Sequence, residues 1–132
     1  FISFLDEKDL WLKARLGISA TRIPKELSIC QFSIKQREIM IVPDLSKDKR
    51  FKDNVLITRE PFFRFYAGLP IINQNGFALG TLCVLDVVPR DLTPAQIQSF
   101  QALQRVLVRE LENRRLNEAR WRFMDAMLKQ EA

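Results

Sequence analysis

The side chains best suited to chemistry in this chain are two thiols, a guanidinium and a phenol. Arg64 and Tyr66 lie two residues apart in an extended run and share one strand face, where they could converge on a small polar or anionic ligand. A competing arrangement pairs Arg64 with Asp44 or Asp53 and fills the space with phenylalanine, of which the chain has 10. Cys30 and Cys83 are the only cysteines, too few for a disulfide scaffold. Thiol catalysis needs an attacking thiolate and a resolving partner. Cys83, within Thr81-Leu82-Cys83-Val84-Leu85, reads as a small core residue. Cys30 stands at a helix start, where its pKa could be lowered, but Ile29 and Phe32 point to burial. No catalytic residue is assigned, and the chain is read as a non-enzyme. Histidine is absent, which removes histidine triads, the common zinc sites and histidine haem ligation from this segment.

These side chains need elements to position them. The central stretch is Arg64 to Asp86, two strands joined by the turn Asn73-Gln74-Asn75-Gly76. Phe65, Ala67, Leu69 and Ile71 fall on one face of the first strand, and Arg64, Tyr66, Gly68, Pro70 and Ile72 on the other. The second strand, 77–88, is apolar on both faces and is expected to be covered on both sides. Gly68 and Gly80 mark either a close approach of a neighbour or a bulge. Upstream, residues 1–5 and 10–16 read as paired strands, 18–24 as a loop, 28–36 as a helix capped by Ser28 or begun equally well at Glu26 or Leu27, and 39–42 as a short strand. Residues 44–61 lack a strong period and read as a functional lid or a packed loop, with a helical turn at 44–48.

Thr93-Pro94 opens a helix that meets no further Gly or Pro. Its first stripe is Ile97, Phe100, Leu103, Leu107 and Leu111. Its last turns carry Leu116, Phe123 and Met127 on one side and Trp121, Met124 and Leu128 on another. Gln104, Arg114 and Glu118 interrupt the seam. A domain of this size cannot cover so long a helix, so its end should pair with a partner, most simply a second copy of the chain.

The 132 residues are one domain, 47% hydrophobic, with a net charge of +5. Basic residues 47, 49, 50 and 52 alternate with acidic residues 44, 48 and 53, so no nucleic-acid surface is expected. The apolar runs are too short to span a bilayer, and reduced thiols fit a cytoplasmic setting. The strand-like start at Phe1 reads as a cut from a longer protein.

The stretches LWLKARLGI (10–18), IPKELSICQFSI (23–34), IVPDLSKDKRFKDNVLIT (41–58), RFYAGLPI (64–71) and GTLCVLDVVPRDLTPAQ (80–96) resemble a GAF domain, the small-molecule sensor module of bacterial signalling proteins. The chain is similar to GAF domains found upstream of histidine kinases, diguanylate cyclases and nucleotide cyclases. The resemblance implies an α+β fold with a central antiparallel sheet of about six strands, flanking helices and a long C-terminal helix. The sensor domain would span 1–112, with its N-terminal helix missing, and a coiled-coil signalling helix would span 113–132. The resemblance places Asp44, Phe51, Asn54, Arg64, Phe65 and Tyr66 around a ligand cavity, with Thr81 and Cys83 sharing its face. Bilin attachment is not expected, since neither cysteine precedes a histidine. The Asn-Lys…Phe…Asp-Glu pattern of cyclic-nucleotide-binding relatives is also missing. The expected function is a non-catalytic input domain, dimeric through its C-terminal helix, in which an unidentified small molecule orders the lid and shifts the helix pair. The alternative is a structural dimerisation module with a filled pocket and no ligand.

Overall fold

The computed structural model describes residues 2–5, 9–14, 22–24 and 27–130. In chain order the elements are β1 (Ile2–Leu5), β2 (Asp9–Ala14), β3 (Arg22–Pro24), α1 (Cys30–Ser33), β4 (Met40–Val42), a 3₁₀ turn (Leu45–Lys47), α2 (Val55–Thr58), β5 (Phe65–Ile72), β6 (Ala78–Asp86) and α3 (Pro94–Gln130). The strands form an antiparallel sheet in the order β3-β2-β1-β6-β5-β4. The protein is therefore α+β, with a long C-terminal helix.

The β5–β6 hairpin is fixed by its turn. The Asn73 side chain accepts hydrogen bonds from the Asn75 and Phe77 amides, both at 3.0 Å. Gly76 takes φ +84°, a conformation open to glycine at little cost. Register then runs from Phe65 opposite Asp86 to Ile71 opposite Gly80, and shifts by one residue between Ile71 and Ile72. That irregularity puts a bulge beside Gly80.

The pleat divides β5 between two cores, with the split the sequence predicts. Tyr66 joins Met40, Val42, Cys83, Cys30, Ile29, Leu45, Phe51 and Ile57 on the lid side. Phe65, Ala67 and Leu69 pack with Phe100 of α3 on the other. Burying a side chain such as Phe100 contributes about 1.5–3 kcal/mol. Gln104 also belongs to this contact, since its side-chain amide donates to the Pro70 carbonyl at 2.7 Å.

A reciprocal cap starts α3. The Thr93 amide donates to the Gln96 side chain at 2.9 Å, and the Gln96 amide donates to the Thr93 hydroxyl at 3.2 Å. The helix runs 37 residues. It is partly buried as far as Glu112 and exposed from Asn113 to Gln130.

Several expectations are corrected. Residues 22–24 are strand rather than loop. β3 lies at the edge of the sheet, where Pro24 removes no needed donor. The expected 28–36 helix is the single turn Cys30–Ser33, after which Lys35 and Gln36 bond to Phe32 and Ser33 in the tighter i to i+3 pattern. β6 is not covered on both faces: Val84 is 41% exposed, and Phe77, just before the strand, is 68% exposed. On α3 the inward stripe includes Gln104, whereas Leu103 is 60% exposed. The side-chain faces expected for 10–16 lie outside the described residues.

Replacing the cap hydroxyl tests the start of α3. Thr93→Ala is expected to lower unfolding free energy by about 1 kcal/mol in urea titration. An unchanged midpoint would show that Pro94 and the Phe100 contact define the helix start without the cap.

Candidate functional site

The lid face of β5 and β6 holds Tyr66, Thr81 and Cys83, all fully buried, and α1 presents Cys30 and Ser33 to them. The Tyr66 hydroxyl donates to Cys30 Sγ at 3.4 Å. Cys30 Sγ and Cys83 Sγ lie 3.5 Å apart, and Thr81 Oγ1 lies 3.8 Å from Cys83 Sγ. Gly68 explains how the Tyr66 ring fits. A Cβ at Gly68 would stand 2.3 Å from the Tyr66 hydroxyl oxygen and 2.9 Å from Ser33 Oγ. The close approach left open by the sequence is thus made by the protein's own tyrosine and serine, while the bulge belongs near Gly80.

The expected site residues separate into three groups. Tyr66, Thr81 and Cys83 meet as anticipated. Arg64 does not converge with Tyr66 on an open space. Its Nη1 donates to the Ile57 carbonyl at 2.9 Å and the Phe63 carbonyl at 3.0 Å, tying β5 to the segment before it. Phe65 belongs to the opposite face, against Phe100, because adjacent strand residues point opposite ways. It cannot line the same space as Tyr66. The lid residues act within the lid. Asp44 accepts from the Ser46 amide at 3.0 Å and hydroxyl at 2.6 Å, and this hydrogen bonding holds its carboxyl below the usual range. Asn54 caps α2 by accepting from Leu56 N at 2.9 Å and donates to the Leu27 carbonyl at 3.0 Å. Phe51 is buried, edge-on to Phe32 with ring centroids 5.0 Å apart and the Arg50 guanidinium 4.9 Å from its own centroid.

The thiol pair has the spacing for redox chemistry but not the electrostatics. Burial pushes the Cys83 thiol well up, and its hydrogen bond with Cys30 adds to the shift. Burial likewise raises the Tyr66 phenol, reinforced by Cys30 and Cys83. Such a shift keeps the Cys83 thiol protonated at neutral pH. Among the described residues no cluster of three or more His, Cys, Asp or Glu is placed to hold a metal. No helix among them is long and apolar enough to cross a membrane. Sequence reasoning missed the role of Ser33, although its helical spacing from Cys30 was the signal available.

An antiparallel sheet with a short helix and lid on one face and a long helix on the other defines a small α+β module. A GAF domain family model matches residues 3–111, and the chain belongs to that family of sensory and regulatory domains. A cyclic di-GMP phosphodiesterase of Pseudomonas aeruginosa is 39% identical over 89 residues, 67% of this chain and 15% of that protein's length. Free methionine-R-sulfoxide reductase from Neisseria meningitidis, solved with its substrate, matches with a TM-score of 0.68 and 16% identity, over 88% of this chain and 68% of that one. A GAF sensor protein of Burkholderia vietnamiensis matches with a TM-score of 0.62 and 18% identity, over 81% and 65% of the two chains. The likeness to these two structures is one of fold.

Gly68→Ala is expected to destabilise the fold by roughly 1–3 kcal/mol, as overpacking of a tight core does. Tyr66→Phe should relieve part of that loss in a double-mutant cycle. Strict additivity would mean the ring does not constrain Gly68. The raised Cys83 and Tyr66 values set a pH dependence. The unfolded chain ionises these groups before the folded one, so stability is full below about pH 8.5 and falls above it. Denaturant midpoints across that range should show the decline, and Cys83→Ala should make it shallower.

Proposed function

We propose that this chain is a non-catalytic regulatory module of a larger signalling protein, whose own side chains fill the space beside Tyr66 and whose C-terminal helix pairs with that of a second copy. The observation that carries this reading is the exposed apolar surface at the end of α3. Leu116, Trp121, Phe123, Met124, Met127 and Leu128 are each 48–69% exposed, although residues that apolar are costly to leave in water. A partner helix removes that cost.

Burial of Tyr66 against Cys30, and the use of Arg64 on backbone carbonyls, favour the filled arrangement over a ligand clasped between Arg64 and Tyr66. The raised Cys83 pKa supports a non-catalytic role, even though a reductase shares the fold. That the chain spans 15% of the phosphodiesterase relative supports a place within a longer protein carrying a separate output domain. Reduced thiols suit a cytoplasmic setting. Information would pass as a change in helix-pair geometry, which requires two arrangements of the pair with different stabilities.

Size-exclusion chromatography with light scattering tests the pairing. The chain is expected to run as a dimer, and Phe123→Glu with Met127→Glu as a folded monomer. A wild-type monomer at tens of micromolar would overturn the helix-pair reading.

A further inference from the structure

Away from the buried thiols, α3 crosses the β5–β6 turn and leaves a groove of about 540 Å³. Its floor is apolar, formed by Ile72, Val108 and Leu116, and its polar side carries Arg105 and Arg109. These arginines stand one helical turn apart, so their like charges repel. Further along the helix, Arg114, Arg115 and Arg122 are each matched to a glutamate three or four residues earlier. Arg105 and Arg109 have no such match among the described residues, because positions 101 and 105 hold Gln and Arg. Glu112 also lines the groove, but its carboxylate binds Arg115 at 3.2 Å. Beyond Arg105 the surface continues into a second groove of about 450 Å³ that brings Arg37, along with Glu38. Arg37 reaches the same turn, its Nη2 lying 3.8 Å from where a Gly76 Cβ would be.

We propose that the groove between the β5–β6 turn and α3 binds a small phosphate monoester carrying a flat apolar ring. Two unmatched guanidiniums in a concave surface offer paired N–H donors for phosphate oxygens. The Ile72, Val108 and Leu116 floor suits the face of a ring, and the Gln74 and Asn113 amides can meet its polar edge. The volume falls within the range of small-molecule sites. This site is separate from the filled space beside Tyr66, and it shares Leu116 with the face assigned to the helix pair. It touches both the sheet hairpin and α3, just before the helix becomes fully exposed.

The test is calorimetric titration of the intact chain with adenosine monophosphate, using adenosine and inorganic phosphate as comparisons. Saturable binding of the monophosphate is expected, with adenosine weaker by about ten-fold or more, as befits a charge-assisted contact. Arg105→Gln with Arg109→Gln should weaken binding by about ten-fold or more, while Arg120→Gln with Arg122→Gln should leave it unchanged. Both pairs are exposed, and unchanged circular dichroism confirms folding. No saturation up to about 5 mM, equal binding of adenosine, or equal losses in the two double variants would overturn the proposal. Loss of the dimer with binding retained would instead count only against the helix-pair reading.

Discussion

The lid-side core depends on one steric relation: the Tyr66 ring lies across a strand position that has no side chain. With Gly68 bare, the hydroxyl can pass over β5 to Cys30 and hold α1 against the sheet. Met40 and Val42 flank this contact through the pairing of β4 with Gly68 and Tyr66, and Cys83 faces Gly68 from β6. A phenol, two thiols and two small hydroxyl residues thus fill the space between α1 and the sheet. Tyr66, Cys30, Cys83 and Thr81 meet weakly, through sulfur contacts of 3.4–3.8 Å rather than short oxygen bonds, and the buried Ser33 hydroxyl has no hydrogen-bond partner among the described residues. Such a core is closed by shape more than by strong hydrogen bonding.

Much of the fold was legible because it is local. The alternation along β5 assigns Tyr66 and Phe65 to opposite cores, and Asn73 to Gly76 dictate a hairpin. Thr93-Pro94 announces α3, down to the hydroxyl that closes its cap. What failed was set by neighbours distant in sequence. β3 is a strand because β2 offers it an edge, which no propensity in residues 22–24 reveals. Gln104 interrupts the apolar seam but turns inward because the Pro70 carbonyl stands opposite it.

The site was less legible than the fold. Residue type marks Arg64 as a ligand-binding cation, yet two backbone carbonyls take its guanidinium. Family likeness grouped Phe65 with Tyr66, whereas the pleat separates them. Spacing in the sequence could not place Cys30 and Cys83 within 3.5 Å of each other, since 53 residues and several elements intervene. For the arginine pair on α3, Gln101 and Arg105 already show in the sequence that no acid stands one turn before either member, but the groove the pair faces is a property of the folded surface.

Among the described residues, the Gln104 to Pro70 hydrogen bond is the last polar tie between α3 and the sheet before the helix becomes exposed. A tilt about this tie would make it a fulcrum. From Gln104 to Gln130 the helix extends about 39 Å at 1.5 Å per residue, so a tilt of about 5° there displaces its far end by roughly 3 Å. A shift too small to disturb the core at the fulcrum becomes, at the tip, more than half the pitch of a helical turn.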